Sequence, residues 1–273
     1  MKKLLIAAAV ATISSGALAA DLKPYVEGQV GYLNPGDIDT KTYSGSLGDS
    51  SLNAKLKLKY DSDVIWGGEV GLRDVGGIPN LRIGASYSRA EIDLDSLSFL
   101  ANGTTSINDT AGTPVASASA NASLALDRGG ISASGTVTYT DAAGTSDVAA
   151  SGRVENASLT PAFVTAKNDL LNGLKKNINL YMANAYYDFK NSTPFTPYVG
   201  AGLGLASIKD TKGTELAYSL MAGGKYNINN NVYVGAKGTY TRVNSPTSNK
   251  YGVDIPLDDI DLWRADAVIG YEF

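Results

Sequence analysis

The chain has 273 residues, a formal net charge of −4, 30 glycines, 16 tyrosines and only 18% charged residues. It contains no histidine and no cysteine, which removes imidazole, disulfide and thiolate chemistry together. The acidic balance argues against nucleic acid as a partner, because phosphate binding needs a basic face.

Residues 1–19 carry the pattern of a secretory signal peptide. Lys2 and Lys3 precede an apolar run over 4–13, and Ala17-Leu18-Ala19 supplies a small-residue cleavage site. That run is shorter than the roughly 20 apolar residues a membrane helix requires. No longer apolar run follows, so the membrane-compatible option for residues 20–273 is a closed barrel whose backbone groups pair between strands.

A first strand is expected over 22–33, with Val26, Gly28, Val30 and Tyr32 toward lipid and Tyr25, Glu27 and Gln29 toward the lumen. Asn34-Pro35-Gly36-Asp37 breaks the alternation and opens a long loop at 34–61. Inside it Leu52, Ala54, Leu56, Leu58 and Tyr60 alternate with Lys55, Lys57 and Lys59. The simplest account is an upward projection of the second strand, in phase with its Val64, Trp66, Gly68, Val70 and Leu72. The lysine row reads as a solvated strand face, with a heparin-like or headgroup site as the alternative.

A Gly-Gly-Ile-Pro turn at 74–80 leads to a third strand over 81–93. Then comes a long insertion at 95–177, rich in Ala, Ser, Thr and Gly; a loop of that size is either functional or disordered. Two alternating pieces, 116–126 and 131–139, flank Asp127-Arg128-Gly129-Gly130 as a hairpin. Thr160-Pro161 opens a helix whose stripe of Phe163, Ala166, Leu170 and Leu174 is expected to pack on the protein's own hairpin.

Strands four and five form a hairpin over 180–206, strand six covers 218–226, strand seven 232–242 and strand eight 260–273. The expected fold is all-β: an eight-stranded antiparallel transmembrane β-barrel with short turns at one end and long extracellular loops at the other. The alternative has ten strands, with the 116–139 hairpin also crossing the membrane; its lack of aromatics speaks against that. Inward parity collects Glu27, Glu69, Asp188, Asp266 and Glu272 with Arg73, Arg82, Lys225, Lys237 and Arg264. Such a set reads as a neutral ion-pair network, since eight strands leave an interior just wide enough for side chains.

The segments ANAYYDF (183–189), TPYVGAGLGLA (196–206) and the terminal AVIGYEF (267–273) carry a resemblance. The chain resembles the small outer-membrane β-barrel family that includes neisserial opacity proteins, the membrane domain of outer membrane protein A, and rickettsial and anaplasmal surface adhesins and antigens. The resemblance implies a bacterial outer-membrane location among lipid and lipopolysaccharide. It also implies a C-terminal signal, Tyr271 and Phe273, read by the barrel-assembly machinery. It does not reach the loops, so no binding residue follows from it.

Barrel enzymes similar to this family rely on histidine, which this chain lacks, so no enzymatic activity is expected. Without His or Cys only hard oxygen ligands remain, and the scattered Asp of the loops lack calcium-loop spacing, so no metal or cofactor is expected. The expected function is that of a surface adhesin or antigen, whose loops at 34–61 and 95–177 bind a host-surface or matrix macromolecule. The alternative is a passive structural barrel or small solute pore of porin type.

Overall fold

Residues that alternate with a period of two pair as strands along nearly the whole chain. The computed structural model describes residues 23–108, 113–173, 176–209, 213–245, 247–248, 255–256 and 258–273. The signal-peptide segment and Leu174 of the expected helix stripe lie outside the described residues. In chain order the elements begin with β1 (Lys23–Pro35), β2 (Ile38–Asp39), β3 (Tyr43–Leu47), β4 (Ser50–Tyr60) and β5 (Asp63–Arg73). They continue with β6 (Leu81–Ile92), β7 (Leu94–Asn108), β8 (Pro114–Asp127), β9 (Gly130–Asp141) and β10 (Gly144–Glu155). A helix, α1 (Pro161–Gly173), precedes β11 (Lys176–Asp188), β12 (Phe195–Ile208), β13 (Glu215–Asn227) and β14 (Val232–Val243). Two short strands, β15 (Thr247–Ser248) and β16 (Ile255–Pro256), and then β17 (Ile260–Glu272) complete the set.

Eight strands close a barrel in the order β1-β17-β14-β13-β12-β11-β6-β5, with β5 returning to β1. Every pairing is antiparallel, and because the ring closes no edge is left within the wall. Among the described residues no helix is long and apolar enough to cross a membrane. Short turns at 74–80, 189–194 and 228–231 share one end with both chain termini of the barrel. Outward aromatics form two belts. Tyr32, Trp66, Tyr218 and Trp263 lie toward the end with long connections, and Tyr187, Phe189, Phe195, Tyr226, Tyr271 and Phe273 toward the short turns.

The inward glycines have a packing reason. Across β11 and β12, Tyr186 faces Gly200, Asn184 faces Gly202 and Met182 faces Gly204. A Cβ on Gly200 would lie 2.4 Å from the Tyr186 ring, and one on Gly270 would lie 2.1 Å from Tyr233. Glycine on one strand thus makes room for a large polar side chain on the next.

The ten-strand alternative is overturned: the 116–139 hairpin stands outside the barrel. A second sheet, in the order β10-β9-β8-β7-β4-β2 with β3 also on β4, extends from the wall. It grows where β6 runs on into β7 and β4 runs into β5. Residues 34–61 and 95–177, read as loops around a hairpin and a helix, are therefore mostly sheet. Their Ser/Ala alternation is a strand pattern too weak in contrast to stand out in sequence.

The expected phase of β4 is also overturned. Leu58 and Tyr60 turn inward with Ile65, whereas Val64 and Trp66 face out. The break at Asp61-Ser62, beside a register shift at Lys59/Tyr60, reverses the faces. Leu58, Tyr60, Leu94 and Leu171 consequently join Leu33, Ile65, Ile92, Ile178, Ile260 and Leu262 in one apolar core that seals this end of the barrel.

The helix packs on a different face from the expected stripe. Phe163 is 43% exposed and Leu170 also faces solvent, while Lys167 and Leu171 are buried. Helix α1 lies against β7, and Lys167 Nζ donates to the Asp127 carbonyl. A purely apolar stripe would have left that part-buried carbonyl without this donor.

These faces can be tested by charge insertion. Ala201 and the 63%-exposed Leu220 point outward in mid-wall. Ala201→Arg or Leu220→Arg should lower stability in lipid vesicles by about 2–4 kcal/mol. Val137→Arg, on the second sheet, should stay within about 0.5 kcal/mol. Equal losses at all three sites in a urea titration would show that the second sheet is also in lipid.

Candidate functional site

Two places concentrate polar chemistry: the barrel lumen and the second sheet. In the lumen the side chains come from strand positions of inward parity, and each acid meets a defined set of partners. Glu27 accepts from Lys237 Nζ and Tyr233 Oη, both at 2.9 Å. Asp188 accepts from Arg82 Nε at 3.0 Å and Lys225 Nζ at 2.8 Å. Glu272 accepts from the same Lys225 at 2.9 Å and from Arg73 Nη1 at 2.5 Å. Arg264 lies 2.8 Å from Asp266, held by charge without the alignment of a hydrogen bond, and donates to Ser88 Oγ at 2.9 Å.

Glu69 is different. Its carboxylate accepts from three neutral donors, Tyr25 Oη, Tyr186 Oη at 2.7 Å and Asn184 Nδ2 at 2.7 Å. The Arg82 guanidinium sits among the rings of Tyr25, Tyr186 and Tyr198, 5.3, 4.7 and 5.0 Å from their centroids. Such cation–π contacts strengthen once water is excluded. Parity alone did not single out these tyrosines and Asn184 as partners of the charges; the signal was a large polar residue opposite an inward glycine.

The arrangement is a filling. The void beside Asn184, Ser219, Thr239 and Arg264 measures about 10 Å³, close to the space of one water. Above it the apolar core begins. Among the described residues no three acidic side chains gather where one metal ion would reach them.

On the second sheet, in-register pairing aligns side chains in rows. One face stacks Leu58, Leu97, Leu126, Ile131 and Val154, and higher up Leu52, Gly103, Ala120, Val137 and Val148. Helix α1 lies over the lower part, while Phe99, Leu124, Val137 and Tyr139 remain exposed. The opposite face stacks Ser51, Thr104, Ser119, Thr138 and Asp147, with a ladder of Asn53, Asn102 and Asn121 beside it. The lysine row lies on this polar face and meets carboxylates. Lys55 pairs with Asp39 at 2.6 Å, Lys57 with Asp37 at 2.5 Å and Lys59 with Asp95 at 3.6 Å. A row neutralised within the chain is a weak site for a polyanion.

The β8–β9 turn is tied together by a cluster of bonds to one carboxylate. Arg153 grips Asp127 with two nitrogens, at 2.6 and 2.9 Å, and the Gly129 and Gly130 amides donate to the same carboxylate. The Arg153 bonds, then the two amides, pull the Asp127 carboxyl from 3.8 down to about 2.

Two outcomes follow. A carboxyl whose folded pKa is depressed stabilises the fold fully above its unfolded value, and that contribution disappears as pH falls through about 2. Carboxyl-detected NMR should therefore show Asp127 titrating near 2, and Asp127→Asn should speed amide exchange at Gly129 and Gly130 already at neutral pH. A titration near 4 would remove the Arg153 grip. In the lumen, Lys225→Met leaves Asp188 and Glu272 short of a cation and should cost about 3–5 kcal/mol. The unmodified protein should show only small, infrequent conductance in planar bilayers, and large steady conductance would contradict a filled lumen.

The family match agrees with this geometry. Residues 79–264 match the outer membrane protein beta-barrel domain. A stretch of 112 residues is 32% identical to outer membrane protein PagN of Salmonella typhimurium, covering 34% of this chain and 44% of PagN. A stretch of 100 residues is 35% identical to an uncharacterized protein of Brucella abortus, covering 29% of this chain and 34% of that one. The chain thus spans less than half the length of these relatives. Among solved structures, Neisserial surface protein A is similar over 92% of this chain and 97% of its own, at 14% identity and a TM-score of 0.44. The closed eight-stranded wall and the domain match together place the protein in the bacterial outer membrane, and the chain belongs to the outer membrane protein beta-barrel domain family.

Proposed function

We propose that the protein is a non-enzymatic surface component whose second sheet, built from residues 34–61 and 95–177, binds a host-surface or matrix macromolecule. The observation that carries this reading is the uncovered apolar face at Phe99, Leu124, Val137 and Tyr139. Exposed apolar rows of this extent, rimmed by polar residues, are the mark of interaction surfaces. In this reading the end with short turns faces the periplasm and the sheet faces the cell exterior. Tyr271 and Phe273, on the outward face of β17 and just beyond it, are the residues the assembly machinery would meet. The filled lumen speaks against a solute pore, and the absence of histidine speaks against the histidine-dependent barrel enzymes.

The test joins Leu94 to Asn177 through a short Gly-Ser linker. Loop-closure entropy grows only logarithmically with length, so the shortened barrel should still insert and still migrate differently before and after heating. Loss of Leu171 from the apolar core should lower its stability by about 2–5 kcal/mol. Bacteria displaying full-length and shortened protein at equal density are compared for adhesion to host cells and matrix-coated surfaces. The shortened form should lose most adhesion, and added salt should change the remainder little because the lysine row is already paired. Equal adhesion by both forms would leave the passive envelope role.

A further inference from the structure

The sheet ends at β10, and every residue of that strand is exposed. Among the described residues it pairs with β9 on one side and with nothing on the other. Its phase is set by Asn156, whose amide donates to the Gly129 carbonyl at 2.8 Å. Even-numbered residues of β10 therefore bond to β9, and Thr145, Asp147, Ala149, Ser151, Arg153 and Glu155 turn their backbone groups to the open edge. An edge of this length is a template for another strand unless something protects it.

Charge usually protects an edge, but here the charges are self-complementary. Two antiparallel copies of β10 centred on Ala150 set Asp147 of each opposite Arg153 of the other. Asp147 has no ion-pair partner among the described residues, and Arg153 remains 39% exposed beyond its bonds to Asp127 and Glu155. Shifting the register by one hydrogen-bonded step either way loses both cross-copy pairs, and parallel in-register pairing sets like charges together. On the apolar face the same register places Val148 against Gly152 and Val154 against Ser146.

We propose that β10 pairs with β10 of a second copy, antiparallel about Ala150. The topology also indicates where that copy sits. β7 leads away from the barrel, β8 returns, β9 leads away, and β10 runs back toward the wall. Two copies upright in one membrane would run β10 in the same direction, whereas copies in facing membranes run it in opposite directions. The antiparallel register thus joins cell to cell. It rests on the outward orientation proposed above, which protease treatment of intact cells checks separately.

The absence of native cysteine makes the register directly readable. In this pairing Ala150 meets its own symmetry mate as a non-hydrogen-bonded pair with Cα atoms about 4.5 Å apart, within disulfide reach. Two populations of cells, each with a differently tagged Ala150→Cys protein, should yield disulfide-linked dimers carrying both tags after mixing and mild oxidation. Ala149→Cys, opposite Ser151, should yield few. In parallel, cells with Asp147→Arg alone and cells with Arg153→Asp alone should sediment no faster than cells lacking the protein, and their mixture should regain wild-type aggregation. That recovery excludes misfolding as the cause of the single losses. Equal cross-linking at 149 and 150, dimers of one tag only, wild-type cells that do not aggregate, or a mixture that fails while the second sheet of both variants resists protease as the unmodified protein does would each overturn the proposal.

Discussion

Hydrocarbon offers the backbone no water, so every N–H and C=O within the bilayer must find a partner in the protein. The pairing of β1 with β17 along Tyr25–Pro35 is what meets that demand, because it joins the first strand to the last and leaves the wall without an edge. Much else follows from this closure. A ring of eight strands has a narrow interior, and a narrow interior must be filled without stranding polar groups.

The lumen is filled in two ways along its length. Toward the short turns, carboxylates and cations share donors in chains such as Arg82–Asp188–Lys225–Glu272–Arg73, so no charge there stands alone. Toward the other end the same inward parity carries Leu33, Ile65, Ile178 and Ile260. The apolar half is completed from outside the wall by Leu58, Leu94 and Leu171, which ties the second sheet and α1 to the barrel. Glu69 belongs to neither scheme: two phenols and an amide hold its carboxylate, and the Arg82 guanidinium sits behind those phenol rings.

The wall was legible in the sequence because its contrast is strong: Tyr, Val and Leu against Gly, Asn and charge leave little doubt about period or face. The inward charges could be gathered by parity, but their partners could not, since pairing depends on which strands meet around the ring. Lys237 and Glu27 lie 210 positions apart. The second sheet was poorly legible for the opposite reason. Alternation of Ala with Ser or Asn in β8 separates the two faces by little more than a hydroxyl or an amide. The helix face misled because Lys167, counted as polar, buries its stem and satisfies a carbonyl, while Phe163 is left outside. Nothing local at Asp61-Ser62 announced a reversal of faces.

That reversal has a consequence for how such a chain varies over generations. With a side-chain period of two, gaining or losing one residue between Tyr60 and Asp63 would turn β4 over, carrying its lysines toward the barrel axis and Leu58 and Tyr60 away from the apolar core. Its neighbour β7 would stay in place, anchored through Asp93 to β6. Length changes at this junction should therefore persist only in pairs or with a matching change at Asp93, whereas the turn at Ala142-Ala143, far from the core, is free to drift by single residues. Related chains would then diverge most in length at the far rim of the sheet and least at the join between sheet and wall.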